Sequence, residues 1–193
     1  MINRSFKSFL LAESGVAAIE MAMILPFLLF LYFGLLDLTG LVSFNRKVTS
    51  VANSMADLTA QNRNTILKAN VNDYMSVASM IMDPTPTNLV SVKVYGYRKV
   101  GASAVKIWTV SNGTGPGCAS APATALMTPL MVSGNDLVVA QACMKYQPYV
   151  ATFMGDKILG ETSFDVEQTI IVRPRSSLKL DCYNTTVGGA VCS

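Results

Sequence analysis

Twenty-one consecutive residues from Val16 to Leu36, VAAIEMAMILPFLLFLYFGLL, hold a single ionisable carboxylate, Glu20, and no Lys or Arg occurs between Val16 and Asn45. At about 1.5 Å per residue a helix of that length covers roughly 31 Å, the thickness of the hydrocarbon core of a bilayer. The run therefore predicts a membrane-spanning helix, assigned to residues 16–40. It also accounts for the composition. Charged residues make up 14% of the 193, against about 25% in an ordinary globular domain, and the mean hydropathy is +0.39. The chain contains no His, which excludes His-based triads, His-ligated zinc and His acid–base chemistry. A net charge of +3, with no basic stripe interleaved with aromatics, argues against nucleic acid as a partner.

The residues ahead of the run, MINRSFKSFLLAESG, carry Arg4 and Lys7. A cleavable secretory signal has an apolar core of about 7–15 residues followed by a small-x-small cut. Here the apolar run is longer, and Ser14-Gly15 precede it. A signal anchor with a cytoplasmic N-terminus fits better, although Arg46 and Lys47 follow the span in equal number and weaken the charge asymmetry. Glu20 does not suit a plain anchor. A carboxylate in hydrocarbon costs a few kcal/mol, about 2.5–3.5 for the comparable Asp at mid-membrane and less near the interface. Either the side chain reaches the interface, or it awaits a positive partner on another chain. Pro26 removes the hydrogen bond to the Ala22 carbonyl and predicts a helix kink, a simple bend or a pliable joint.

Beyond the span, Leu41, Phe44, Val48, Val51, Met55 and Leu58 recur at spacings of 3 and 4, one apolar seam on a continuing helix. With fewer than three heptads, the seam is expected to pack on the protein's own sheet rather than as a coiled coil with other chains. Gln61-Asn62-Arg63-Asn64 breaks the pattern. A second helix is predicted over Thr65–Met82, with Leu67, Val71, Tyr74, Met75, Ala78 and Ile81 or Met82 inward, stopped by Asp83-Pro84-Thr85-Pro86. Period-two alternation then predicts strands at Leu89–Val100, Ala104–Ser111, Asp136–Tyr146 and Ser163–Val172, the first two joined by a hairpin at Gly101-Ala102-Ser103. Asn112–Thr128 reads as a long loop and Pro148–Leu159 as a short helix or loop. Tyr95, Tyr97 and Trp108 are placed for cross-strand aromatic contacts. The expected fold is α+β: a long N-terminal helix, a second helix and an antiparallel sheet of about four strands.

Cys118, Cys143, Cys182 and Cys192 all follow the span, an even count that predicts two disulfides in an oxidising compartment. Of the three connectivities, Cys118–Cys143 with Cys182–Cys192 is preferred, tying the loop to a strand and closing the tail. Their spacings of 25, 39 and 10, without a CxxC, give no metal site. Asp156, Glu161, Asp165 and Glu167 lack the Asx-x-Asx-x-Asx-Gly order of a calcium loop and read as a solvated face. Neither a metal nor another cofactor is expected. Asn112-Gly113-Thr114 and Asn184-Thr185-Thr186 match glycosylation sequons, which arise often by chance.

Gly15-Val16-Ala17-Ala18-Ile19-Glu20-Met21 resembles a type IV prepilin processing site, with a glycine before the cut and a glutamate fifth in the product. The fuller string SGVAAIEMAMILPFLLFLYFGLLDLTG is similar to TadE/TadG-like minor pilins, or pseudopilins, of the tight-adherence (Tad, or Flp) pilus, and the similarity extends through RKVTSVANSMADLTAQ, VKIWTVS, CMKYQPY and IIVRPR. Major Flp pilins carry an aromatic after the glutamate, where this chain has Met21. The resemblance implies a pilin-like fold with a leader over residues 1–15, an amphipathic helical region over 41–82, a β head over 83–175 and a tail over 176–193. It implies cleavage between Gly15 and Val16 by a prepilin peptidase, leaving a mature chain that starts with the Val16 amine. Staggered neighbouring chains can pair that amine with Glu20 in a low dielectric. The implied partners are the major Flp pilin, other minor pilins, an inner-membrane assembly platform and the lipid bilayer. The implied place is a single pass through the bacterial inner membrane with a periplasmic head, and the role is to initiate or cap the pilus. An adhesive binding module on an uncleaved anchor is the alternative. An anchored enzyme is the least supported class, since no catalytic constellation is visible.

Overall fold

The computed structural model describes residues 14–83, 89–112, 117–118, 121–148, 163–175, 178–189 and 191–192. The leader with Arg4 and Lys7, most of the Pro148–Leu159 segment, and Asp156 and Glu161 lie outside the described residues. The chain divides into two compact units, Met1–Leu41 with Pro148–Thr162, and Val42–Gln147 with Ser163–Ser193.

Helix α1 runs over Ser14–Ala60, 47 residues, and continues through Pro26 as one helix. Up to Leu36 it is almost wholly apolar and almost wholly uncovered. From Gly15 to Leu36 each residue is exposed except Phe33, which is half-buried. Met23 is 77% exposed and Phe27 67%. A surface helix in water confines its apolar residues to one stripe, so a helix apolar all round requires another solvent or another protein. It is the one helix among the described residues long and apolar enough to cross a membrane.

The second unit is an α+β head. Its sheet has the order β3-β2-β4-β5, antiparallel throughout, from β2 (Val90–Val100), β3 (Ser103–Asn112), β4 (Asp136–Tyr146) and β5 (Phe164–Val172). Gly101, at φ 63°, turns the β2–β3 hairpin, a conformation that costs Gly little. Alternate residues of the sheet form two cores. Val90, Val92, Val94, Val138, Ala140, Ala142 and Met144 join Val48, Val51, Ala52, Met55 and Ala56 of α1 and Val71, Met75, Ala78 and Met82 of α2 (Lys68–Met82) in the larger one. Tyr95, Tyr97, Leu137 and Val139 form the smaller core on the opposite face with Ala104, Met127 and Met131. Short helix α3 (Thr124–Met127) and a 3-10 turn at Thr128–Leu130 bring those methionines in.

From Phe44 to Met55 the amphipathic seam of α1 therefore packs on its own head. Its buried face is wider than the seam: Ala52, Ala56, Thr59 and Ala60 are buried and Leu58 only half so. Both α2 and the sheet pack against this part of α1, and two coverings bury more than one stripe.

Three expectations need correction. The second helix starts at Lys68, not Thr65, because Thr65–Leu67 forms strand β1, paired in parallel with β6 (Asp181–Tyr183). Asn64, at φ 58°, turns the chain there, and its carbonyl accepts the Asp181 amide at 2.9 Å. The β-branched pair Thr65-Ile66 then pairs with a strand 116 residues away, which local periodicity does not reveal. The loop predicted to run to Thr128 ends instead in α3. Trp108 also lies apart from the tyrosines: it faces the larger core and they face the smaller. Its cross-strand partner is Gly96, which points to the helix side between Tyr95 and Tyr97.

Candidate functional site

The first turns of α1 carry the sequence-predicted site. Gly15 is the second residue of the helix, and a Cβ built on it meets nothing within 4 Å. Glycine in a helix costs about 1 kcal/mol relative to Ala, and neither crowding nor a positive φ demands it at this position. Val16, 60% exposed, follows it. Glu20 lies one helical turn further on, exposed between the exposed apolar residues Ile19 and Met21. Among the described residues Glu20 has no hydrogen-bond or ion-pair partner. Gly15, Val16, Glu20 and Pro26 thus occupy one bare, apolar stretch whose only charge is unanswered among the described residues.

The cysteines are joined as Cys118–Cys143 and Cys182–Cys192, and no cysteine is free. The first bond pins residues 117–118 to β4, with help from the Lys93 ammonium, which donates to the Cys118 carbonyl at 3.3 Å. The second closes the tail, where the Cys192 amide donates to the Cys182 carbonyl at 3.0 Å.

Sequence reasoning missed the polar groups that fasten this tail to the sheet. Asp136, buried at the start of β4, accepts from Arg98 Nε and Nη2, both at 2.7 Å, and from the Leu180 amide at 2.7 Å. Arg98 also reaches Asp181 at 2.9 Å. Hydrogen bonding to Asp136 holds the Arg98 guanidinium above its usual range, overcoming the opposing effect of burial. Trp108 Nε1 donates to the Leu180 carbonyl at 2.8 Å. On the other face, Tyr95 donates to Gln141 at 3.0 Å, and Gln141 donates to Glu167. Burial foremost, then the neighbouring Tyr97 and Glu167, pushes the Tyr95 phenol up. These partners lie 38 to 83 residues apart, apart from the 26 separating Gln141 and Glu167. No local motif announces them, and the signal available was only an Asp at the head of an apolar strand. They brace the fold. Among the described residues no group of three or more His, Cys, Asp or Glu is placed to hold a metal ion.

Residues 15–57 match the family of TadE-like proteins, so the match starts at Gly15 and ends within the buried stretch of α1. No curated protein and no solved structure matches the chain.

Proposed function

With residues 15–57 TadE-like and thereby implying a protein associated with the Tad pilus, we propose that the chain is a minor pilin, or pseudopilin, that initiates or caps that pilus. In this reading α1 sits in the bacterial inner membrane with a cytoplasmic N-terminus and a periplasmic head, and the head contributes to surface adhesion. A prepilin peptidase cuts between Gly15 and Val16. The Val16 amine then pairs with Glu20 of a neighbouring pilin, and Pro26 supplies a pliable joint as the subunit leaves the bilayer. The major Flp pilin, other minor pilins and the assembly platform are its partners, and its work is mechanical rather than catalytic. The observation that carries the reading is the exposed apolar stretch beginning at Gly15, with a Glu20 that has no partner among the described residues. A glycine with open space around it answers no need of the fold, but it suits a peptidase that must approach the backbone closely. Two disulfides suit an oxidising periplasm.

Intact mass of the membrane-extracted protein, with and without the peptidase, tests the first step. A chain beginning at Val16 only when the peptidase is present is expected. One that keeps Met1 in both cases refutes processing and favours the uncleaved adhesive anchor. Glu20→Ala should be processed yet fail to enter filaments; its normal incorporation would remove the pairing role.

A further inference from the structure

We propose that β5 is a docking edge for a different protein, which adds an antiparallel strand with basic residues beside Asp165 and Glu167 and aliphatic ones beside Ile170–Val172. The sheet has two outer strands, β3 and β5. The disulfide-closed tail covers β3, whose Thr109 amide donates to the Cys192 carbonyl at 3.4 Å. Among the described residues, the backbone of β5 is bonded to β4 and to nothing else. An unpaired edge is a template for another strand, and proteins blunt it with short length, Pro, a bulge or charge. β5 runs for 9 residues without Pro or Gly, and its register with β4 is unbroken. Its charges, Asp165 and Glu167, both lie in its first half, and Gln168–Val172 carries none.

A second copy of the chain does not suit this edge. Pairing β5 antiparallel with itself can set Asp165 against Arg173, but the two-fold axis that does so reverses α1, whose Val48–Ala56 stretch lies along the sheet. Two helices entering one bilayer from the same side run the same way, so that pair cannot share a membrane. Parallel self-pairing brings the two acidic halves together, and head-to-tail pairing needs the β3 edge that the tail occupies. A strand from another protein escapes all three restrictions. This exclusion rests on the membrane placement of α1 proposed above.

Alternation along β5 then sets what the incoming strand carries. Asp165, Glu167 and Thr169 are exposed, on the same face as Ile171, which packs on the smaller core. Val166, Ile170 and Val172 are half-buried against the larger core. Glu167 accepts from Gln141, and Asp165 stands opposite Lys145 of β4 without an ion pair. A carboxylate has about four acceptor sites, so both acids keep capacity for a basic neighbour. Opposite charges and aliphatic pairs stabilise cross-strand contacts. Main-chain hydrogen bonds supply the affinity in strand addition, and the alternating side chains supply the selectivity.

The test uses the full chain in phosphatidylcholine nanodiscs and a synthetic peptide as long as β5. The peptide has valine at alternate positions, with threonine between them in its first half and lysine in its second. Alternate amides of β5 should exchange quickly with solvent in the free protein and slow about tenfold or more when the peptide is added. A peptide methylated on alternate backbone nitrogens should give no protection, and one with glutamate for lysine should bind about tenfold more weakly. Asp165→Lys with Thr169→Lys, two exposed positions, should weaken the lysine peptide to a similar degree, with Trp108 fluorescence checking the fold. Slow exchange along all of β5 before any peptide is added would mean that the chain covers its own edge, and would overturn the proposal. So would an absence of protection by the lysine peptide, or equal binding of the methylated or glutamate forms. Self-association of the discs that the double variant abolishes would also overturn it, assigning the edge to a second copy. These readouts concern the edge alone, so they fail or succeed separately from leader cleavage and filament entry.

Discussion

The indole of Trp108 lies against Gly96: a Cβ built on the glycine would fall 2.2 Å from two atoms of the ring. The two residues face each other across β2 and β3, and the strand register shifts immediately after Gly96. The missing side chain makes room for the ring that reaches the Leu180 carbonyl. Gly96→Ala should displace the indole and cost about 2–4 kcal/mol, combining overpacking with a broken buried hydrogen bond. Denaturant unfolding of the detergent-solubilised protein, followed by Trp108 fluorescence, measures it. A loss below about 0.5 kcal/mol would mean that the ring is not held as described.

Asp136 and Asp181 both bind Arg98, but their surroundings differ: side-chain exposure is 1% for Asp136 and 41% for Asp181. Asp136→Ala removes the acceptor of the Leu180 amide and leaves Arg98 only the more exposed Asp181, and should cost about 3–5 kcal/mol. Asp181→Ala should cost about 1 kcal/mol or less, as for other exposed pairs. Comparable losses in the two variants would contradict this ranking.

Thr59 Oγ1 is a buried hydroxyl without a hydrogen-bond partner among the described residues. Thr59→Val keeps the shape and removes the unsatisfied oxygen, so stability should rise by about 1–2 kcal/mol. A drop in the unfolding midpoint would show that the hydroxyl is satisfied after all.

The raised Tyr95 phenol predicts a particular alkaline response. The unfolded chain releases this proton near pH 10, before the folded chain does. The stabilisation is therefore complete below that pH and is lost as pH rises through the folded value. Tyr97 behaves similarly, through burial alone. Unfolding free energies measured from pH 8 to 11 should fall less steeply in Tyr95→Phe than in the unaltered protein. Parallel curves would deny any shift.

The Cys182–Cys192 bond closes a loop of 10 residues and the Cys118–Cys143 bond one of 25. Each should stabilise by about 2–4 kcal/mol, the longer loop somewhat more. Peptide mapping without reductant should recover these two pairs. Cys182→Ser with Cys192→Ser should lower the denaturant midpoint without changing the pattern at Cys118.

Much of the architecture is written in local patterns. The apolar stretch of α1 needs no tertiary contact to declare itself, because unbroken hydrophobicity over a bilayer's thickness has few other uses in water. The inward set of α2, Val71, Met75, Ala78 and Met82, repeats at helical spacing, and β2 and β4 alternate. Gly15 and Glu20 likewise stand out against their neighbours.

What tertiary structure decided is where distant segments meet. Thr65–Leu67 has too few residues to show a period, and it became a strand only because Asp181–Tyr183 lay alongside. Nothing near Asp136 foretells Arg98 or the Leu180 amide. The same is true of β5, which is an outer strand only because of the strand order, while the tail covers β3 instead. Periodicity reports which face of an element avoids water, a property of neighbouring residues. Hydrogen bonds and ion pairs between remote segments depend on strand order and register, which exist only once the chain has folded.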